Sequence, residues 1–333
     1  MYEELIEYAK RIGRKVDSYI YNIVRGKPQV LYEASTHLIK AGGKRLRPLL
    51  TVLSCRVVGG NEELAIPAGA AVEILHNFTL IHDDIMDKDE MRRGKPTVHK
   101  LWGVEMAILA GDLLYAKAYQ ALLGLYKLGV SSERVTRAIE LLTWGSVSVA
   151  EGQALDMEFE KRDDVSEEEY LEMIKKKTAA LFMASAGIGG IVGGGDDNSI
   201  RALMEYARYM GIAFQIRDDI LGLIGDEKVL GKPVLSDIRE GKRTILVIYT
   251  LPKLNEKERL KLLSVLGNRQ ASLDELREAA ELIRSTGAIE YADKLAEKYI
   301  DESLKALNKV DIKDTEALRL LKLLNNFVTR RRY

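Results

Sequence analysis

Two Asp-Asp pairs in this chain end runs that are otherwise apolar and helical in period. Asp83-Asp84 closes one such run, and Asp87 follows Asp83 four residues on, which places the two carboxylates on one helix face. Like charges at that spacing weaken an isolated helix by roughly 0.2–0.5 kcal/mol. Beside a buried cavity they would take up protons or require a cation. Three carboxylates within a turn are hard oxygen donors of the kind Mg2+ accepts, and that ion completes its shell with water and substrate phosphate. Asp218-Asp219 stands in QIRDDIL, an echo of LIHDDIM at 80–86. The pairs Asp163-Asp164 and Asp196-Asp197 lie in polar stretches and read as loop or cap residues.

Basic residues recur near these acids. Lys44, Arg45 and Arg47 lie in AGGKRLRP, Arg92 and Arg93 follow the first acid cluster, and Lys177, Lys232, Lys242 and Arg243 come later. Arg holds phosphate through a planar fork and Lys as a point charge. Acids and bases set in apolar helical sequence point to Mg2+-bridged phosphates in a cavity whose walls suit a greasy substrate. A P-loop is excluded: between Gly225 and Gly231 stand five residues where four are required, and Pro233 replaces the needed Ser or Thr.

The elements that must position these groups are helices. Leu64, Ala68, Ala71 and Leu75 form one stripe; Ile108, Leu109, Ala116, Tyr119 and Leu123 form another. Spacing of three and four continues through Leu203, Ala207 and Met210 and through Leu273, Leu276, Ala280 and Ile283. Ser166 with Glu169 predicts a capping box. The stretch 178–195 is uncharged but holds six glycines, and it reads as a buried helix ending in a Gly loop, so no membrane span is expected. The 333 residues are 47% hydrophobic and 30% charged, a globular composition. With 50 basic and 50 acidic residues there is no field to recruit nucleic acid. The single cysteine, Cys55, excludes an intrachain disulfide and a Cys-rich zinc site and fits a reducing cytoplasm, and the N-terminal stretch lacks a signal-peptide pattern. The expectation is one all-α domain over residues 1–333.

The motifs resemble those of the trans-isoprenyl diphosphate synthases. Asp83, Asp84 and Asp87 with Arg92-Arg93-Gly94 are similar to that family's first aspartate-rich motif, DDxxD followed by RRG. Gly42-Gly43-Lys44-Arg45-Leu46-Arg47-Pro48, His76, Gly152-Gln153, Lys177-Thr178, Phe214-Gln215, Asp218-Asp219, Gly231-Lys232 and Gly241-Lys242 fall in the family's order, so the resemblance spans nearly the whole chain. It implies an orthogonal helical bundle around a deep cavity, a homodimer, and head-to-tail condensation of isopentenyl diphosphate with an allylic diphosphate. By resemblance, Asp83, Asp87 and Asp218 ligate Mg2+, three ions per active site, with Asp84 and Asp219 in support. Arg92, Lys177 and Lys232 grip the allylic diphosphate, with Lys242 among the substrate-binding lysines. Lys44, Arg47, His76 and Arg93 bind isopentenyl diphosphate, and Thr178 and Gln215 turn oxygen dipoles toward the carbocation. The second motif departs from the family pattern: Gly222 stands where a third carboxylate is usual, and Asp226 is a candidate to compensate.

Product length is read from the residues before Asp83. Thr79 lies about 6 Å below it and about 40° round the helix, Phe78 about 7.5 Å below and about 140° round. An aromatic at the fifth place and none at the fourth resembles the archaeal-type synthases that make geranylgeranyl diphosphate. The alternatives are a farnesyl or longer product, a terpene cyclase, or a non-catalytic partner subunit. A cyclase needs no second diphosphate site, and the intact first motif argues against a partner subunit.

Overall fold

The apolar period of three and four becomes helix along nearly the whole chain. The computed structural model describes residues 2–225 and 234–329, the side chains of 328 and 329 excepted. In chain order the helices are α1 (Glu3–Ile23), α2 (Gln29–Lys40), α3 (Leu46–Val57), α4 (Glu62–Asp87), α5 (Val98–Trp102), α6 (Val104–Leu123), α7 (Ser132–Phe159), α8 (Glu167–Ile174), α9 (Ala180–Gly193) and α10 (Asp197–Ile224). They continue as α11 (Ser236–Glu240), α12 (Ile245–Thr250), α13 (Glu256–Val265), α14 (Leu273–Ser285), α15 (Ala288–Leu307) and α16 (Thr315–Thr329). A two-stranded hairpin, β1 (Met91–Arg92) and β2 (Lys95–Pro96), interrupts them, and a π turn, Lys175–Ala179, joins α8 to α9. The fold is all-α, as the spacing predicts.

Local chemistry sets the ends. Asn61 caps α4 by accepting from the Glu63 N–H at 2.9 Å, and the acids of the first turn, Glu62 and Glu63, complement the helix dipole. The predicted box of Ser166 and Glu169 caps α8. Two further boxes, Asn255 with Glu258 and Ser272 with Glu275, open α13 and α14.

The chain groups into two compact units. The first takes residues through Val147, Leu181–Ala207 and Ser303–Phe327; the second takes Ser148–Ala180 and Arg208–Glu302. In the first, α4 is buried almost continuously from Ala65 to Leu75. It packs against α6, whose inward face is small: Ala107, Ala110, Gly111, Ala118 and Ala121. Leu114 and Leu122 are buried with them, but the other large apolar residues of α6 point the other way. Ile108, Leu109, Tyr115 and Leu123 are exposed, so the stripe legible in the sequence is the outer face. Close packing recurs at α9, where a Cβ on Gly189 would sit 2.2 Å from the Thr51 carbonyl oxygen and one on Gly193 2.5 Å from that of Cys55. In the second unit Tyr170, Ile174, Ile216, Ile220, Leu246, Leu276 and Ile283 belong to one apolar core. Among the described residues one helix, α4 rather than the stretch 178–195, is long and apolar enough to cross a membrane, and 72% of its most apolar window is buried inside the protein.

Candidate active site

In the first unit the acids come from the last turn of α4. Asp83 and Asp87 are half-buried, and Asp84, on the inner face, is fully buried. The helix stops because Lys88 turns left-handed (φ 59°). The chain then forms the β1–β2 hairpin, whose central residues Arg93 (φ 54°) and Gly94 (φ 71°) both have positive φ. That is the type I′ geometry matching the twist of paired strands, and Gly94 meets it without strain. The tight turn returns Arg92 onto the acids it follows in sequence. Its Nε donates to Asp84 Oδ1, and its Nη2 lies 3.2 Å from Asp89 Oδ2 and 3.4 Å from Asp83 Oδ2. Burial pushes the Asp84 carboxyl up to about 7 against the pull of the Arg92 guanidinium.

The neighbouring basic residues divide by task. Arg45, left-handed at φ 48°, is buried and bonds to Asp17, to Glu73 at 3.1 Å and to the Gly42 and Ile39 carbonyls. It locks the loop. Arg93 donates to the carbonyls of Leu38, at 2.8 Å, and Gly42. Arg47 lies over the Phe182 ring at 4.4 Å, with its Nη1 3.2 Å from His76 Nε2. Burial, then the Arg47 and Arg93 charges, hold the His76 imidazole well below its usual pKa, so it is neutral at pH 7. Lys44 Nζ stands 5.9 Å from the Phe327 ring centroid, at a cavity of about 550 Å3 lined also by Leu5, Ala9 and Leu49. Thr79 donates to the His76 carbonyl at 2.8 Å. The Phe78 ring meets His82 at 4.8 Å and Tyr115 of α6 at 5.3 Å, both edge to face. His82 Nε2 contacts the Ile108 carbonyl oxygen at 3.2 Å, so it turns to α6 rather than to the acids.

In the second unit the π turn carries Lys177 and Thr178. Single π turns in helices are frequent at functional sites because they re-aim side chains. Gly152 makes room for this one: a Cβ there would stand 2.2 Å from the Lys177 nitrogen. Lys177 Nζ donates to Asp156 Oδ2 at 2.6 Å, and Lys242 Nζ donates to the same oxygen at 2.9 Å and to Glu160 at 2.7 Å. Burial opposes the charge on Asp156, but the two lysines prevail and hold its carboxyl below the usual carboxylate range. A hydrogen-bonded line runs from the Thr178 hydroxyl to Gln215 Oε1 at 2.7 Å and from Gln215 Nε2 to Asp219 Oδ1 at 2.8 Å. Tyr170 donates to Asp219 Oδ2 at 2.6 Å. The Gln215 oxygen is therefore engaged by Thr178. Burial, with the Asp237 carboxylate next, pushes Asp219 up to about 7. Asp218 beside it is half-buried.

Gly222 has a spatial explanation. A Cβ there would lie 2.6 Å from Asp237 Oδ2, so a carboxylate from α11 fills the space a side chain at 222 would need. The Gly222 carbonyl accepts from the Leu235 N–H at 3.0 Å and pins that segment in place. Asp226 and Lys232 lie outside the described residues.

Sequence reasoning passed over Asp156, Tyr170 and Asp237. Asp156 was the most accessible of these: Gly152, Asp156 and Glu160 recur at four-residue spacing and share a helix face. Tyr170 and Asp237 left no periodic signal, because chain folding rather than spacing brings them to Asp219 and Gly222.

The acids fit a hard divalent cation. Asp84 Oδ2 is a buried acceptor with no hydrogen-bond partner, and Asp83 and Asp87 offer oxygens one turn apart. Among the described residues no three His, Cys, Asp or Glu side chains converge into a ready cage. That donor set suits Mg2+, which takes one or two carboxylates and completes its shell with water and phosphate.

Comparisons with known proteins agree. The model of the polyprenyl synthetase family matches residues 28–283. A protein of Sulfolobus acidocaldarius named geranylgeranyl diphosphate synthase is 50% identical over 325 residues, 98% of each chain. The crystal structure of a geranylgeranyl pyrophosphate synthetase from Pyrococcus horikoshii superposes with a TM-score of 0.91 at 44% identity, covering 99% of both chains. A polyprenyl synthase from Caulobacter crescentus, solved in complex with calcium and isoprenyl diphosphate, also gives 0.91, at 33% identity over 100% of this chain and 98% of its own. With the acids, the hairpin arginines and the π-turn lysine all present in a helical fold, the chain belongs to the polyprenyl synthetase family.

Proposed function

We propose that this protein is a trans-prenyltransferase that joins isopentenyl diphosphate head-to-tail to an allylic diphosphate and releases geranylgeranyl diphosphate. The observation that carries the reading is the hairpin that brings Arg92 back onto Asp83 and Asp84: an acid pair with its own guanidinium is built to receive a cation and a polyanion together. The Sulfolobus relative's name supports the twenty-carbon product.

In this reading Asp83, Asp87 and Asp218 hold Mg2+, three ions per active site, and Asp84 and Asp219 support them. Bound Mg2+ would neutralise diphosphate and so make it a better leaving group. Arg92, Lys177, Lys232 and Lys242 hold the allylic diphosphate, and their grip tightens as charge gathers on the departing oxygen. Lys44, Arg47, neutral His76 and Arg93 orient isopentenyl diphosphate. The allylic C1–O bond breaks, C1 bonds to the terminal alkene carbon of isopentenyl diphosphate, and the proton lost from that unit passes to the released diphosphate. Thr178 keeps its hydroxyl lone pairs for the cationic carbon while its proton engages Gln215.

Phe78, wedged against Tyr115 and His82, bounds the growing chain with Thr79 beside it. The exposed apolar face of α6, with Trp144 and Val147 of α7, is read as the contact of a homodimer, since Leu109 and Val147 are 54% and 52% exposed. The lone buried Cys55 suits work in the cytoplasm.

The test is incubation of purified protein with labelled isopentenyl diphosphate, Mg2+ and each allylic primer, followed by chromatography of the dephosphorylated products. A dominant twenty-carbon alcohol is expected, and Phe78→Ala should lengthen it. A fifteen-carbon or much longer product from the unaltered protein would discard the role of Phe78. Absence of condensation with every primer would point to a partner subunit instead.

A further inference from the structure

We infer that Asp156 is a positioning residue whose buried carboxylate aims Lys177 and Lys242 at the diphosphate of the allylic substrate. This rests on the reading of Lys177 given above. One oxygen, Asp156 Oδ2, accepts from both ammonium groups, at 2.6 and 2.9 Å. The lysines come from separate elements, the π turn and the segment after α11. The Asp156 side chain is 6% exposed and that of Lys177 26%, so the acid lies beneath the ammonium group rather than between it and solvent. An ammonium group has three donors. A bond from one of them to a buried acid fixes the direction of the group. Two cations on one oxygen would repel without the carboxylate between them. Glu160, on Lys242, balances the second positive charge. Gly152 keeps the π turn from retreating, because α7 touches the Lys177 backbone where a side chain would stand. The carboxylate, the shared oxygen and the tight backbone contact together hold a preformed pair of cations.

The experiment compares Asp156→Asn, Lys177→Met and the double variant. It measures KM for both substrates, binding of inorganic diphosphate by calorimetry, and thermal unfolding. Asp156→Asn should raise the allylic KM and the Kd for inorganic diphosphate about tenfold or more and leave the isopentenyl diphosphate KM within twofold. Lys177→Met should do the same, and the double variant should lose less than the two single losses combined, since both changes act in part through one group, with Lys242 accounting for the remainder. A fall in allylic KM for Asp156→Asn would overturn the inference, because the acid would then compete with substrate for Lys177. Additive losses, or an equal rise in both KM values, would also overturn it. If Lys177→Met leaves the allylic KM unchanged, the reading of Lys177 itself fails, and the inference with it. Should Asp156→Asn not fold, Asp156→Glu keeps the charge but moves it by a methylene. It should then show the same selective rise in allylic KM, and an unchanged allylic KM would overturn the inference.

Discussion

The two acid corners of the molecule hold the same dipeptide by different means. In the first, Asp84 is buried against the Arg92 guanidinium, a charged partner delivered by a type I′ hairpin. In the second, Asp219 is buried against the Tyr170 hydroxyl and the Gln215 amide, both neutral. Burial raises each carboxyl to about 7. The third acid differs too: Asp87 stands in line on α4, whereas the second corner has Gly222 and receives Asp237 from another helix. A repeated motif therefore does not imply a repeated environment. The first corner carries its own positive charge, and the second relies on neutral hydrogen bonds.

The comparison breaks most readily at the partners of the buried acids. Arg92→Ala should lower kcat/KM by about 10²–10³-fold, the usual loss when a charged donor is removed from developing negative charge. Tyr170→Phe should cost less than tenfold, because a neutral hydrogen bond contributes about 1 kcal/mol net. Steady-state kinetics with one primer decides it, and equal losses would end the distinction between the corners. A smaller effect is expected at Gly222. Gly222→Asp restores the family's motif on paper, yet its Cβ would stand 2.6 Å from Asp237 Oδ2, so that carboxylate must turn aside and a second negative charge is set beside it. It should destabilise the fold by about 1 kcal/mol and lower activity. Urea unfolding and turnover of the variant test this, and a gain in activity would show that the motif's own third acid is the better one.

What the two corners share, the burial of a carboxyl, shows as a slope with pH. Asp84 and Asp219 have native pKa values above the unfolded value of about 3.9, so between about pH 4 and 7 the native state binds more protons than the unfolded one. In EDTA, unfolding free energy should fall as pH rises through that window, by at most about 1.4 kcal/mol per pH unit per group, and level off above pH 7. Asp219→Asn should remove part of the slope. Glu62 acts in the opposite sense and lower down. Burial opposes its charge, but Arg11 and Lys15 hold its carboxyl at about 2, so its contribution is lost only as pH falls below about 4. Urea titrations from pH 3 to 8 separate the two windows.

Much of this molecule is local, and the sequence therefore decided it. The spacing of apolar residues by three and four made the chain all-α, Ser166 with Glu169 opened α8, and Asp83 with Asp87 had to share a face because the helical repeat puts them there. Family membership was legible for the same reason, since its motifs are short runs in fixed order. Contacts between distant segments were decided only by tertiary structure. No spacing rule distinguished buried Arg45, which locks a loop, from Lys44 and Arg47 beside it. None told that Ile108, Leu109, Tyr115 and Leu123 of α6 point outward while its alanines, with Leu114 and Leu122, pack inward, because periodicity reports a stripe but not which neighbour takes it. Nor could the sequence place Asp237 in the space left by Gly222 or set two lysines on one oxygen of Asp156. These groups lie far apart along the chain, and only the folding of the chain between them brings their charges within reach.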